Sequence, residues 1–541
     1  VTSDHQSRFI LCLTSLTVLV LACVPFLIQR SVTASTCTQD DLTPQEKRGK
    51  QIYVIGGGSE SNDILAYVGD SSIEVPGSAL PCAGCHGLSG KGKPESGVIP
   101  SDLTWEALTK PYGVTHPNGR KHPPYTVRAL ELAITRGLDP AGNKLLAVMP
   151  RYQMSSTDLA DLIAYLKRIG ETKERGVADD AINIGVIVPA AGPLSSLGEA
   201  VKATTSALFA EVNKEGGIYN RKINLKFVET SESKEATAKN VRRFIEDQQI
   251  FAMASAFTAG AESEVSSLMN ELQVPLVGPL TLKPEIGHPL NRYVFYLVSG
   301  LDDQARALVN YFARNSNDLK NGAVILLPEG GSFETVVNAL VDQCRRVGCG
   351  SMEKASYVRE PFDGAALALS ISRLNRNAVF FLGSNSEALS LFKEAAKLQW
   401  VPTLYFPGGL GANDVYDAPP VFNNKLVISL PSSPSDQSAQ AIQEFRGVAA
   451  QYNLPKNHVA SQLMAYSAAK ILVEGLKQSG KDLSAANLIA ALERLNEFRT
   501  GLIPPVTYGP NRRLGSRGAY VVVVDLDKKT LVQAGSWIKV E

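Results

Sequence analysis

The feature that most restricts how these 541 residues can fold is a change of pattern near residue 175. Before it, over about residues 41–170, helical segments are separated by loops rich in Gly, Pro and Ser. After it, from Ala181 on, short apolar runs of strand type alternate with amphipathic helical windows; residues 182–188, 250–254, 323–327, 378–381 and 426–430 are such runs. Strands alternating with helices predict parallel sheets with helices on both faces. The charged stretch 171–180 between the blocks reads as a linker. The chain is therefore expected to be multidomain, an all-α unit followed by an α/β one.

Composition narrows the class. With 44% hydrophobic and 20% charged residues, the chain resembles an ordinary soluble protein. A disordered, collagen-like or polytopic membrane chain is excluded. The 54 Lys and Arg nearly balance 53 Asp and Glu, with no long run of one sign. A duplex nucleic-acid binder carries a basic surplus or stripe, so that partner is not expected.

Near the N-terminus, Arg8 precedes an apolar stretch, residues 9–28, in which Thr14, Ser15 and Thr17 are polar. Arg30 closes it, and Val32-Thr33-Ala34 offers a small-residue cleavage pattern. Residues 1–34 read as an export signal. Twenty residues also suffice to span a bilayer uncleaved, as a membrane anchor. On either reading the rest of the chain is exported, to the periplasm.

The sharpest chemical motif is Cys82-Ala83-Gly84-Cys85-His86. C-x-x-C-H attaches a c-type haem: two thiols one helical turn apart add to the porphyrin vinyl groups, and the adjacent imidazole ligates the iron. A redox C-x-x-C needs no His and sits in a βαβ context absent here. A zinc site needs two more ligands, and the nearest cysteines are Cys37 and Cys344. One haem c is thus expected, on Cys82, Cys85 and His86.

The opposite face of the iron needs its own ligand. The first block offers Met149, Met154, His116 and His122. Met149 precedes Pro150 and lies just ahead of Ser156-Thr157-Asp158, a cap cluster for a helix expected over residues 159–169. Met149 is the expected ligand, and Met154 is its alternative. His116 and His122 fall in a polar Pro/Gly-rich loop and are expected in solvent. Met/His ligation raises the potential, suits electron transfer and leaves no open site for O₂ or peroxide.

Residues of about 44–170, within a unit bounded at 38–170, resemble a class I cytochrome c. The resemblance rests on Glu46-Lys47-Arg48-Gly49 before an early helix, the run Pro81 to Gly92, Met149-Pro150-Arg151-Tyr152, and the segment 159–170. It implies an all-α fold and one-electron transfer, with Tyr165 and Leu166 packing the last helix on the first. The block also resembles cytochromes that take electrons from periplasmic quinoprotein alcohol dehydrogenases. The partner expected is such a dehydrogenase or a terminal-oxidase cytochrome.

The second block, residues 181–541, resembles the type I periplasmic binding proteins of the Leu/Ile/Val class. Carrying it are the opening strand with Gly192-Pro193, then Asn213, Gly216-Gly217 and Arg221, the run Val274 to Glu285, and the late segment 466–480. The resemblance implies two α/β lobes with a cleft at the carboxyl ends of their strands. Loops expected to face it contain Phe257, Thr258, Leu280, Thr281, Leu282, Phe333, Asn385, Ser386, Gly408 and Gly409. Gly408 stands where amino-acid binders of that family carry an acid, and Phe333 where they carry a tyrosine. A buried ammonium without a carboxylate is costly, so the expected ligand is a neutral or apolar small molecule, with Thr258 and Thr281 as polar handles. A register slip of two residues would let Glu329 supply the acid. The alternative is that the lobes form a docking surface.

Cys344 and Cys349 are expected to close a short disulfide in an oxidising compartment, with free thiols as the alternative. No Ser/His/Asp or paired-carboxylate arrangement supports hydrolysis, and no enzyme is expected. The expected function is periplasmic electron transfer tied to solute binding. The alternatives are an ABC-importer binding protein with an accessory haem and a ligand-gated redox sensor.

Overall fold

The computed structural model describes residues 42–58, 64–69, 73–87, 89–92, 98–170, 174–258, 260–316, 319–331, 333–408, 414–481 and 483–540. The expected signal or anchor, with Cys12, Cys23 and Cys37, lies outside these residues, as does Gly409. Among the described residues, no helix is long and apolar enough to cross a membrane.

The first unit is held by a helix crossing. Helix α1 (Pro44–Ile55) opens on a capping box, in which Thr43 and Glu46 satisfy each other's backbone N–H, and closes on left-handed Gly56. Between it and the last helix of the unit come α2 (Cys82–His86), α3 (Trp105–Leu108) and α4 (Val127–Arg136). The last helix, α5 (Ser156–Leu166), starts three residues before the expected position because Ser155 caps it, accepting the Asp158 N–H. Helix α1 crosses α5 at Gly49. A Cβ there would sit 1.9 Å from the Asp161 carbonyl oxygen, so only glycine permits this approach. Around the crossing, Arg48 pairs with buried Asp161 at 2.6 Å and the rings of Tyr53 and Tyr165 lie 5.5 Å apart.

The helical frame is joined by strands that the all-α expectation did not include. Strands β1 (Leu65–Val68) and β2 (Ile73–Pro76) form an antiparallel sheet with β5 (Arg151–Gln153), and β3 (Val114–Thr115) pairs β4 (Lys121–His122). Runs of two to four residues are too short for their period to distinguish strand from loop.

The second unit contains two sheets of the same plan. In the first lobe the chain runs β6 (Ala181–Val188), α6 (Ser195–Lys214), β7 (Lys222–Glu229), α7 (Lys234–Asp247), β8 (Ala252–Ala254), α8 (Glu262–Leu272), β9 (Leu276–Val277) and β10 (Val294–Phe295). It then crosses to α9 (Leu301–Asn315), β11 (Ala323–Pro328), α10 (Glu334–Val347), β12 (Met352–Tyr357), α11 (Gly364–Ser372), β13 (Ala378–Phe381), α12 (Asn385–Lys397), β14 (Thr403–Pro407) and β15 (Leu426–Leu430). It returns to the first lobe for α13 (Ala439–Gln451), α14 (Val459–Ser479) and α15 (Ala485–Glu493), and ends on β16 (Gly518–Asp525), β17 (Thr530–Gln533) and β18 (Ile538–Lys539) in the second.

The first sheet is parallel, ordered β10-β9-β8-β6-β7; the second runs β12-β11-β13-β14-β15 in parallel and continues with antiparallel β16 and β17. In each lobe the first strand lies between the second and the third, a strand order that no internal repeat in the sequence announced. In the second lobe, Val324, Leu326, Val379 and Phe381 enter one core while Ala323, Ile325, Ala378 and Phe380 enter another. Successive strand residues point to opposite faces, so a sheet covered on both sides needs these unbroken apolar runs.

Candidate haem site and solute cleft

The five residues Cys82–His86 form a single turn of helix, α2, which starts just after Pro81. Cys82 is half-buried and Cys85 exposed, and both are free thiols. Burial pushes the Cys82 thiol up to about 11, opposed by its hydrogen bond to Tyr152. The Tyr152 hydroxyl donates its proton to the Leu80 carbonyl at 2.6 Å, and the Tyr53 hydroxyl to that of Gly87 at 2.6 Å. Two buried tyrosines therefore clamp the chain on either side of the thiol pair.

His86 is 6% exposed, and its Nδ1 lies 2.9 Å from the Ser101 carbonyl oxygen. A carbonyl only accepts, so Nδ1 carries the proton and Nε2 of the neutral ring is left bare. Burial holds the imidazole below its ordinary pKa, against the opposing hydrogen bond to Ser101. Fixing one ring nitrogen on a backbone carbonyl orients a metal-ligating histidine. This partner was missed in the sequence, because a backbone acceptor 15 residues away leaves no residue-type signal.

Met149 and Met154 both pack, half-buried, against the core that Cys82 borders. Met149 sits in a turn where its N–H donates to Leu146 at 3.0 Å and its carbonyl accepts from Arg151 at 3.2 Å. Beside it, Leu146 and Val148 are more than half exposed, at 54% and 52%. Two thiols, a bare imidazole nitrogen, thioether sulfurs and uncovered apolar side chains together fit a covalently bound haem.

His122 corrects the sequence reading, while His116 is half-buried. The β3–β4 hairpin folds His122 into the protein, leaving it 7% exposed, with its Nε2 3.0 Å from that of His116. Its ring meets Tyr125 edge-on at 5.0 Å. Next to the pair, Arg120 bridges His116 and buried Asp139, at 3.0 and 2.7 Å.

The expected cleft residues all lie beyond carboxyl ends of parallel strands, where ligands enter such sheets. Phe257 and buried Thr258 follow β8, and Leu280, Thr281 and exposed Leu282 follow β9. Phe333 follows β11, Asn385 and Ser386 open α12 after β13, and Gly408 follows β14. Within the first lobe, Phe257 and Leu280 share the packing around Val186 and Val188. The lobes meet where the Leu301 N–H donates to the Leu282 carbonyl at 2.8 Å. Gly408, at φ 71°, lies against the same Leu301, and a Cβ there would come within 2.5 Å of its side chain.

Glu329 is exposed. The acid that does sit between the loops is Asp302, which the sequence reading did not single out. Burial raises its carboxyl, Thr335 donates to it at 3.2 Å, and Arg306 and Lys283 answer its charge. Cys344 and Cys349 form a disulfide across the end of α10.

A helical unit with a haem-attachment turn, followed by two α/β lobes about a cleft, defines a solute-binding fold joined to a cytochrome. Residues 181–530 match the family model described as periplasmic binding protein, and residues 79–170 match that of cytochrome c. The chain belongs to the periplasmic binding protein family and carries a cytochrome c domain. It is 23% identical over 335 residues to Leu/Ile/Val-binding protein homolog 3 of Brucella melitensis biotype 1, covering 62% of this chain and 89% of that protein.

Two solved structures share the fold. A branched chain amino acid ABC transporter from Thermus thermophilus with bound valine superposes with TM-score 0.56 at 16% identity, covering 67% of this chain and 98% of that one. A fatty acid ABC transporter substrate-binding protein from Thermomonospora curvata gives 0.54 at 16%, covering 68% and 95%. Two such different solutes on nearly equal likenesses mean that the fold does not name this ligand.

Proposed function

We propose that this chain is an exported, periplasmic one-electron carrier whose lobes take a small solute other than a free α-amino acid. Cys82 and Cys85 would tether one haem c, which His86 and Met149 would hold through the iron. Bound there, it would supply one-electron chemistry. What the chain contributes is orientation: Ser101 keeps the His86 proton on Nδ1, and burial of the ring excludes water from it. The observation that carries this reading is the 2.9 Å contact of His86 Nδ1 with the Ser101 carbonyl beside two free thiols.

Periplasmic binding proteins as relatives, one of them a Leu/Ile/Val-binding homolog, support export and a small-molecule ligand. Against a free amino acid speak Gly408 and Phe333, and an Asp302 already answered by Arg306 and Lys283. The electron partner proposed is a quinoprotein dehydrogenase or a terminal-oxidase cytochrome, with the lobes holding its substrate, product or cofactor or docking the partner itself. Neither matched family is enzymatic, so the chain is read as a carrier and binder.

The test is mass spectrometry of small molecules released from natively purified, denatured protein, paired with leucine titration by calorimetry. A released non-amino-acid solute and no heat from leucine support the reading; leucine binding below about 10 µM, about 7 kcal/mol of binding free energy, overturns it. An ABC-importer receptor with accessory haem predicts closure independent of haem oxidation state. A ligand-gated redox sensor requires the potential to move when ligand binds, because coupling is reciprocal.

A further inference from the structure

A second concavity, of about 780 Å³, lies where the chain passes between the lobes. None of the expected cleft residues lines it. Its walls come from the first lobe (Lys470 on α14, Arg499 and Pro505 after α15), from the crossing segments at Asp436 and Arg512, and from the second lobe (Tyr520 on β16).

Five basic and three acidic side chains line this cavity, and most are already engaged. Lys470 lies 3.6 Å from Glu444, and Arg517 pairs with Asp303 at 3.0 Å. Arg512 donates to the carbonyls of Leu514 and Gly515, and Asp436 accepts the Tyr520 hydroxyl at 2.6 Å. Glu497 accepts only a long bond of 3.5 Å from Thr507. The side chains of Arg499 and Lys539 have no ion pair or hydrogen bond among the described residues. Counted by charge, three cations (Arg499, Arg512 and Lys539) and two carboxylates (Asp436 and Glu497) of the lining have no ion pair among the described residues, an excess of one positive charge.

The rest of the wall is mixed, with Ser435, Ser438, Gln440, Thr500 and Ser516 on it beside apolar groups. Trp537 meets the Tyr520 ring edge-on at 5.0 Å, and Ile503, Pro504 and Pro505 are the other large apolar groups on the surface. The indole N–H of Trp537 donates to no acceptor among the described residues. Guanidinium and ammonium groups without an ion pair, an indole and two prolines on one surface suit an anion with an apolar body.

We infer that this hinge cavity binds a carboxylate anion with a planar apolar body, its head on Arg499 and Lys539 and its body against Trp537 and the prolines. Because the walls belong to both lobes, an occupant favours one lobe angle, and its binding is linked to that of the cleft solute.

The test is calorimetric titration of the full, haem-loaded chain with benzoate, and separately with inorganic phosphate. Benzoate is expected to bind once per chain, at least tenfold more tightly than phosphate. Arg499→Gln combined with Lys539→Gln is expected to weaken it at least tenfold, and Trp537→Leu to weaken it severalfold, with the circular dichroism spectrum retained. The cleft variant Phe333→Ala should leave benzoate affinity within threefold. No benzoate binding, equal binding of phosphate, binding that survives the double exchange, or binding lost in Phe333→Ala would each overturn the assignment.

Discussion

The haem turn and the solute cleft distribute their residues in opposite ways. Cys82, Cys85 and His86 stand on one turn of helix, so local geometry alone sets their mutual spacing. The proposed cleft would draw Phe257, Thr258, Leu280, Thr281, Phe333, Asn385 and Gly408 from loops after five strands in two sheets. A contiguous site tolerates change elsewhere because its parts move together. A dispersed one depends on every loop that feeds it, and its chemistry can be rewritten one loop at a time. The same fold can thus hold valine in one relative and be named for fatty acid in another.

That contrast can be broken most sharply at the haem turn. His86→Ala or Cys85→Ser is expected to abolish the low-spin haem spectrum while the far-ultraviolet circular dichroism of the lobes persists. Loss of both signals together would mean that the units do not fold separately. Next in size, Met149→Ala should remove the sulfur-to-iron absorption band and keep the covalent haem. If Met154→Ala does this instead, the ligand lies beyond the β5 strand.

Smaller effects probe the frame around the turn. Gly49→Val should cost the haem unit about 3 kcal/mol, read from its thermal midpoint, because the added carbon atoms meet a backbone oxygen on α5. Asp139→Asn should cost about 2 kcal/mol by removing a charged hydrogen-bond acceptor. Burial works to raise the Asp139 carboxyl, but Asn143, Arg120 and two backbone N–H groups outweigh it and hold it below the ordinary value. Its contribution is therefore present above about pH 4, the unfolded value, and is lost as pH falls through the lower folded one. In Asp139→Asn that part of the acid dependence of the midpoint should disappear.

What was legible in the sequence follows the same division. The apolar runs at 323–327, 378–381 and 426–430 are strands almost to the residue, since burial on both faces leaves an unbroken signal. The run at 250–254 begins two residues early, because Ile250 and Phe251 are buried while only Ala252–Ala254 pair. The strands β1 and β2 and the burial of His122 were not legible. Each depends on contacts across many residues, His122 on Tyr125 and His116 as well as on the turn between β3 and β4. Ser101 was invisible for a different reason: it acts through its backbone, which every residue type shares. Asp302 was overlooked because an acid in the first turn of a helix is ordinary, and only the loops closing over it from both lobes make it special.

The stretch read as a linker has a further consequence. The Ala485 N–H donates to Glu174 at 3.3 Å, Arg175 donates to the Leu272 carbonyl at 3.4 Å, and Val177 bridges Ile182. The end of the linker is thus already part of the first lobe, and only residues 171–173 separate that anchorage from Gly170. Four chain steps reach at most about 14 Å even when fully extended. The redox centre proposed for the first unit, on so short a leash, would stay within a few nanometres of any solute the lobes took, at an effective concentration that no freely diffusing carrier could match.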